Sequence, residues 1–401
     1  MGCISDFLKY IWEIARFTLP LYAKNGRMNF NDIIGQEDIK RQLVEQFDRG
    51  RLPHALMLCG PEGTGKLGIA LALARYMHCE HPVDGQPCEQ CHACRMTAQW
   101  QHPDLHFSFP LIKVNSNDDP VSDDRLAEWR EQISRTIYFT QADWLNDLRA
   151  ENQQLQYYVR ESDALQHKLS IKSSQGGYRV VIVWLPEKMR PDTANKLLKL
   201  IEEPPQKTHF LMVCQEPDQV LGTILSRMQR IQVPVLSEEL IAQALMERHA
   251  ADGETAKALA HVAQGSYTAA VQLMAEGGDI EDYFQSFMQL MRLCYKRDVK
   301  ELRQWSEDVA KLGRERQKHM LEYYQHIIRE NFVYNFQHPE LNYMTPTEES
   351  FAKKFSPFIN ERNIIPITEH LAACQNSLAQ NGNAKIVFFD LAVKLIILLR
   401  A

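Results

Sequence analysis

The sequence lacks an apolar run long enough to cross a membrane. Its most apolar stretch, LAVKLIILLR near the C-terminus, contains Lys394 and is far shorter than the roughly 20 apolar residues that a spanning helix needs. The first 27 residues are also apolar, but Asp6 and Lys9 interrupt them, which argues against a membrane span and a secretory signal peptide. We expect residues 1–27 to form a poorly ordered or helical extension and the first domain to begin at Met28.

An excess of positive charge is also missing. The 401 residues carry 45 Lys and Arg against 51 Asp and Glu, which gives a formal net charge of -6. A protein that covers nucleic acid with a broad basic surface is therefore excluded, and any contact with DNA would come from a local patch or through a partner chain.

The nine cysteines are unevenly placed. Without a secretory signal they do not indicate a disulfide scaffold, so we expect reduced thiols in a cytoplasmic protein. Four of them follow the spacing C-x8-C-x2-C-x2-C, and four thiolates can enclose a structural Zn²⁺ ion tetrahedrally. These residues are Cys79, Cys88, Cys91 and Cys94. His78, His81 and His92 are alternative ligands, and a chance cluster of free thiols is the other interpretation.

The chain is too long for one compact core. Over residues 28–236, strand-like apolar runs alternate with helical patterns, which predicts an α/β domain with a parallel sheet and helices on both faces. The runs are HALMLC, DLHFSF, YRVVIVWL, HFLMVC and RIQVPVL. Residues 111–158 form an insert, polar at first and then helical. Helical patterns alone follow, predicting a small helical unit at 237–276 and an all-helical domain at 277–401.

The insert contains several aromatic residues at helical spacing among acidic residues. This pattern predicts packing inside the protein rather than stacking on nucleic-acid bases. The residues are Trp129, Phe139, Trp144, Tyr157 and Tyr158.

One loop has a specific phosphate-binding pattern. A strand-like run precedes G-x-x-x-x-G-K and a helical segment follows it, which is the context that this motif requires. Its backbone N–H groups and the helix N-terminus would bind phosphate oxygens, and its lysine would reach the terminal phosphates. The residues concerned are Gly60, Gly63, Thr64, Gly65 and Lys66. Leu67 stands where a hydroxyl side chain normally holds Mg²⁺. A glycine-rich turn without function is the alternative.

Several longer stretches point to a family. The run A-N-x-L-L-K-x-x-E-E-P-P extends from Ala194 to Pro205, and three further stretches accompany it: DIIGQEDIKRQL, RLPHALML and EPDQVLGTILSRMQRI. Together they resemble the AAA+ clamp-loader subunits of bacterial DNA polymerase III, most closely those of the delta-prime type. The resemblance covers nearly all of residues 28–275, and the remainder matches only in being helical. It implies a P-loop AAA+ domain with the zinc module, a helical lid and an all-α collar that oligomerises.

The resemblance also implies where an ATPase of this family would carry its catalytic groups. The acidic pair falls on Trp184 and Leu185, and the arginine of the lid falls on Thr268. With Leu67, four positions lack the group that hydrolysis needs. Because phosphoryl transfer depends on positioned metal and charge, we expect no intrinsic activity and regard Mg²⁺ binding as disfavoured. Whether ATP still binds stays open.

Arg227 is the catalytic residue that the resemblance retains. It lies in SRMQR, where clamp loaders place a Ser-Arg-Cys motif whose arginine enters the ATP site of the adjacent subunit, and Met228 replaces the cysteine. An arginine finger acting in trans is therefore implied. An ordinary surface ion pair is the alternative.

The implied function is that of a non-hydrolysing subunit in a DNA polymerase holoenzyme, assisting the ATP-dependent loading of the sliding clamp. The implied partners are motor subunits, a delta-type subunit, the clamp and, through the complex, primed DNA. A motor subunit of the gamma/tau type is the first alternative, but it would need a hydroxyl after Lys66 and an acidic pair. A zinc module that binds nucleic acid alone is the second, and the negative net charge disfavours it.

Overall fold

The computed structural model describes residues 28–113, 119–150, 153–171, 173, 176–275, 277–338, 341–380 and 382–400. The chain divides into two compact units with the boundary between Val271 and Gln272. The extension predicted at residues 1–27 lies outside the described residues.

A parallel sheet forms the centre of the first unit. Its described strands are β1 (Ala55–Cys59), β2 (Leu105–Ser108), β3 (Arg179–Trp184), β4 (Thr208–Cys214) and β5 (Gln229–Gln232), in the order β2-β3-β4-β1-β5. Every residue of β1, β3 and β4 is buried, as their continuous apolar runs require of strands covered on both faces. Only Ile231 is buried in β5, which lies at one edge of the described sheet. The predicted α/β fold class is confirmed.

Helices precede, connect and follow these strands along the chain. They are α1 (Glu37–Asp48), α2 (Lys66–His78), α3 (His92–Ala98), α4 (Leu126–Arg135), α5 (Gln141–Asp147), α6 (Val159–Ser170), α7 (Pro191–Glu202), α8 (Gly222–Leu225), α9 (Glu238–His249), α10 (Gly253–Val262) and α11 (Tyr267–Ala275), the last of which crosses the boundary between the two units. All residues of α2 are buried, so its apolar sequence has no polar face. On α7, by contrast, Ala194, Leu197 and Ile201 share one buried stripe that joins the core with β3 and β4.

The aromatic side chains of the insert lie in the protein interior. Trp129 and Trp144 are fully buried. The ring of Trp129 stacks on Phe109 with centroids 4.3 Å apart, and the indole N–H of Trp144 donates a 3.0 Å hydrogen bond to the carbonyl of Pro110. The prediction that these residues pack rather than stack on bases is confirmed.

The second unit is described as a set of helices around one apolar core. They are α12 (Gly277–Lys296), α13 (Val299–Val309), α14 (Arg314–Tyr334), α15 (Pro346–Phe355), α16 (Ile364–Ala379) and α17 (Ala384–Leu398). Phe287, Tyr324 and Phe388 are buried at its centre. Of the helices that the structure describes in either unit, none has both the length and the apolarity of a membrane span.

Candidate functional site

The glycine-rich loop lies at the carboxyl end of β1, where the parallel strands end together. Its first residue, Gly60, donates a backbone hydrogen bond of 3.3 Å to the carbonyl of Cys214 on β4. Gly63 and Gly65 have φ angles of 79° and 87°, which glycine adopts without the strain that a side chain would cause. The loop then leads directly into α2 at Lys66. The sequence pattern therefore yields the strand–loop–helix geometry of a phosphate-binding loop.

Other parts of the same unit fill the space in front of the loop. Tyr267 donates its backbone N–H to the carbonyl of Gly63 at 3.1 Å. A Cβ atom on Gly63 would overlap the hydroxyl of Ser266 and lie 2.9 Å from the backbone nitrogen of Thr268. The loop thus packs directly against residues 266–268, and Thr268 is itself buried.

This contact makes Gly63 a packing position in the chain without ligand. We expect Gly63→Ala to lower the free energy of unfolding by about 2 kcal/mol or more, because it adds both a strained φ angle and an overlap. Gly50→Ala is the matched control, since Gly50 has a φ of 63° but no atom within 4 Å of an added Cβ. Urea unfolding measures both variants. An equal cost for the two would show that the Gly63 contact is unimportant.

Lys66 is held by its own loop. It is 4% exposed, and its ammonium group donates hydrogen bonds to the carbonyl of Pro61 and, at 3.4 Å, to the hydroxyl of Thr64. Burial lowers the pKa of Lys66 to about 8. The lysine of the motif is therefore directed at loop atoms, in a setting that disfavours its charged form.

Apolar side chains occupy the positions of the expected metal ligands. Leu67, Trp184 and Leu185 are 5%, 3% and 0% exposed. The indole of Trp184 packs against the ring of Phe139, with centroids 5.1 Å apart. Glu187 is the nearest carboxylate along the chain, and one of its oxygens accepts a 2.9 Å hydrogen bond from the backbone N–H of Gln215. Glu187 thus binds the backbone after β4.

A short segment of the insert lies over the loop. The hydroxyl of Tyr138 accepts a 2.9 Å hydrogen bond from the backbone N–H of Ile34 and lies 3.1 Å from where a Cβ of Gly65 would stand. The remaining cavity, between these residues and the loop, is about 30 Å³. Such a volume suits one or two water molecules, and a nucleotide is much larger.

Sequence reasoning missed this role of the insert. Phe139 was expected to pack, but Tyr138 was not singled out, and whether ATP still binds was left open. The available signal was the apolar stretch IYF at residues 137–139, which directly follows the polar helix α4. The position of this stretch in the fold depends on contacts with residues about 70 to 130 positions away along the chain, which local sequence patterns do not encode.

Arg227 lies on an exposed rim, between α8 and β5. Its side chain is 36% exposed. The guanidinium Nε bonds to the carboxylate of Glu202 at the end of α7, and Nη1 donates to the carbonyl of Thr223 at 2.8 Å and to the hydroxyl of Ser226 at 3.1 Å. The group is therefore fixed along one edge and accessible to solvent, so both interpretations of Arg227, a finger and a surface ion pair, are compatible with its position.

The four clustered cysteines converge as their spacing predicts. Their sulfur atoms all lie within 4.8 Å of one another, and the sulfurs of Cys88 and Cys94 are 3.9 Å apart. Tetrahedral Zn²⁺ with Zn–S bonds of about 2.3 Å places sulfurs about 3.8 Å apart. Within the described residues the group consists of these thiols alone, and the alternative ligands His78, His81 and His92 are not part of it. The donor set therefore fits a four-coordinate structural metal ion.

Backbone amides also point at these sulfurs. The N–H groups of Cys88, Cys91 and Cys94 donate to the sulfurs of Cys79, Cys88 and Cys91 at 3.2, 3.4 and 3.3 Å. A further hydrogen bond from the backbone of Gln90 lowers the pKa of Cys88 to about 6, while burial raises the pKa values of Cys79 and Cys94. Amide donors stabilise thiolates, and a divalent metal would offset the burial of the others.

The segment that contains the four cysteines, residues 79–94, is here called the cysteine module, and it contacts the start of the α/β domain. The side-chain oxygen of Gln86 accepts a 3.2 Å hydrogen bond from the backbone of Phe30. The amide of Asn29 donates to the carboxylate of Glu89 at 3.1 Å. Because Gln86 and Glu89 flank Cys88, a metal ion that fixes Cys88 would also fix the segment that leads to Ile34 and the cleft.

Comparison with known proteins is consistent with this site. A family model described as "DNA polymerase III, delta subunit" matches residues 35–237, just over half of the chain. The chain is 32% identical over 189 residues to the DNA polymerase III subunit delta' of Yersinia pestis, covering 47% of this chain and 43% of that protein.

Two further relatives show the same partial coverage. The DNA polymerase III subunit delta' of Bacillus subtilis (strain 168) is 27% identical over 215 residues, which cover 53% of this chain and 52% of the relative. The DNA polymerase III subunit tau of Escherichia coli (strain K12) is 26% identical over 249 residues, with coverages of 61% and 32%. The matches thus span about half or less of the relatives' own lengths. On the family match over most of the α/β domain, the chain belongs to the DNA polymerase III, delta subunit family.

Proposed function

We propose that the chain is a non-hydrolysing subunit of a DNA polymerase III clamp loader. The observation that carries this proposal is the apolar lining where Mg²⁺ and the attacking water would be held. Leu67, Trp184 and Leu185 are buried there, and none of these side chains can coordinate a hard cation or orient water. The loop then serves as architecture that connects β1 to α2.

The role that follows is one of assembly. In this proposal residues 28–236 are the AAA+ domain, 237–276 the lid and 277–401 the collar that joins neighbouring subunits. Arg227 enters the ATP site of an adjacent motor subunit, and the complex, which includes a delta-type subunit, loads the sliding clamp onto primed DNA. The solvent-accessible, fixed guanidinium of Arg227 supports this role. Zn²⁺ held by the four cysteines would be structural.

The alternative is a motor subunit of the gamma/tau type. The match to a relative named tau favours it. It would require a metal-binding hydroxyl at the position of Leu67 and carboxylates at the end of β3, where the chain has Trp184 and Leu185. Because several groups are missing at once, restoring one of them should not create a motor.

We therefore expect no ATP hydrolysis by the purified full-length chain, and none by Leu67→Thr, because the carboxylates would still be absent. Release of inorganic phosphate from ATP and Mg²⁺ is the measurement. Lys66→Ala is the control for contaminating enzymes, since it removes the lysine of the loop and should give the same residual rate. Phosphate release by the wild-type chain that disappears in Lys66→Ala would refute the proposal.

A further inference from the structure

We propose that residues 136–141, here called the strap, replace a bound nucleotide: they exclude ATP from the cleft and join the helical residues 237–270 to the α/β domain. The proposal goes beyond the absence of hydrolysis and does not rest on it. A chain can fail to hydrolyse ATP and still bind it tightly.

The strap occupies the surface of the loop that a phosphate would approach. Glycines in a phosphate-binding loop expose backbone so that phosphate oxygens can come close. The hydroxyl of Tyr138 takes this place at Gly65, with 3.1 Å to an added Cβ. The side chain of Ile137 packs more closely still on Gly68, the next glycine along the chain, with its Cδ1 atom 2.5 Å from an added Cβ. With only about 30 Å³ left, ATP cannot enter unless the strap leaves.

Tyr138 also contacts the helices after residue 237. Its ring packs edge-on against the ring of Tyr267 at 4.8 Å. The guanidinium of Arg248, on α9, lies 5.9 Å from the centre of the Tyr138 ring and 5.7 Å from that of Tyr267. Arg248 donates a 2.7 Å hydrogen bond to the carbonyl of Asp32, close to Ile34. Tyr138 thus connects the loop, residues 32–34 and the helical residues 237–270. A nucleotide bound in the cleft would make the same connection.

The strap is anchored at both ends. At its start the N–H of Thr136 bonds to the carbonyl of Gln132 at the end of α4. Near its other end the hydroxyl of Thr140 accepts a 3.0 Å hydrogen bond from the backbone of Asp143 and caps α5. The side chain of Gln141 donates to that of Gln215, after β4. These contacts at both ends restrain the strap against leaving the cleft.

Nucleotide binding tests the exclusion directly. We expect no saturable binding of a fluorescent ATP analogue to the full-length wild-type chain up to about 1 mM. The double variant Tyr138→Ala/Phe139→Ala should gain saturable binding at least tenfold tighter than this limit, because it empties the cleft and keeps Lys66. Micromolar binding by the wild type would overturn the proposal and leave the absence of hydrolysis standing. The proposal would also be overturned if the double variant, shown by circular dichroism to be folded, gained no ATP-analogue binding.

Hydrogen exchange tests the connection with one variant that keeps the ring and one that removes it. Tyr138→Phe removes only the hydroxyl, and we expect exchange at Ile34, whose N–H donates to that hydroxyl, to become about 2- to 10-fold faster, the range for one lost hydrogen bond. Tyr138→Ala also removes the ring that packs against Tyr267, and exchange across residues 237–270 should then become faster as well. Tyr158→Phe is the matched control, since Tyr158 is a buried tyrosine of the same insert that packs near Lys113 instead. Unchanged exchange in Tyr138→Phe, or the same change in Tyr158→Phe, would overturn the connecting role.

Discussion

A clamp loader assembled with Arg227→Ala should lose ATP turnover by about 10³-fold at the site next to this chain. An arginine supplied by a neighbour stabilises the charge that develops on the transferred phosphoryl group, and fingers of this kind contribute at least that factor. The total turnover of the complex should fall by the share that this one site provides. Steady-state phosphate release with saturating clamp and primed DNA is the measurement.

The contacts of Arg227 indicate that its removal should lower the rate of ATP turnover without lowering the stability of the protein. Among the described residues the guanidinium forms an ion pair with Glu202, and both side chains of this pair are partly exposed, at 36% and 42%. Exposed pairs contribute about 0–1 kcal/mol to stability. Arg227→Ala should therefore leave folding and assembly intact, which size-exclusion chromatography of the complex can verify before the rates are compared.

Two further variants test whether the effect is specific to Arg227 and to its guanidinium group. Arg230→Ala is the matched control, because Arg230 is exposed on β5 only three residues further along the chain, and it should keep wild-type turnover. Arg227→Lys keeps the charge but loses the planar guanidinium with its fixed N–H donors, so its turnover should lie between those of Arg227→Ala and the wild type. Full turnover with Arg227→Ala in an intact complex would eliminate the finger and leave the ion pair with Glu202 as the whole role of Arg227.

The sheet and the glycine loop could be predicted because their signals are local. Each buried strand is a continuous apolar run, and the loop depends on residues 60–66, whose spacing is readable without the rest of the fold. The cysteine cluster was predictable for the same reason, since four ligands within sixteen residues leave few ways to arrange themselves. The identities of Leu67 and Trp184 then sufficed to predict an impaired metal site.

The closed cleft could not be predicted, because the contacts that close it are distant along the chain. Tyr138 meets Ile34 across 104 residues, and Arg248 meets Asp32 across 216. No periodicity links these positions, and an aromatic residue in an insert is compatible with any buried surface. The apolar residues at the positions of the expected Mg²⁺ ligands are visible in the sequence itself, whereas the lack of space in front of the loop appears only in the assembled fold.

Substitution of a cysteine in the cysteine module should cause the second large effect, a loss of bound metal and of thermal stability. We expect one tightly bound Zn²⁺ per chain, and we expect Cys88→Ser to abolish it, because the hydroxyl is a poor replacement for one of four thiolates. Structural zinc contributes about 10–16 kcal/mol of binding free energy in isolated fingers. Even a loss of about 3 kcal/mol in the first unit would lower its Tm by roughly 6–12 °C. Metal analysis and thermal unfolding measure the two effects.

The contacts of the module determine where the loss should appear first. Gln86 and Glu89 hold residues 29 and 30, so release of the metal should raise hydrogen exchange there before the central sheet opens. Cys374→Ser is the control, because Cys374 is a buried thiol in the second unit. Its loss should weaken packing while the zinc content stays at one per chain. A native wild-type chain without zinc, in which all four thiols react freely, would mean that the sulfurs converge through packing of the loop alone.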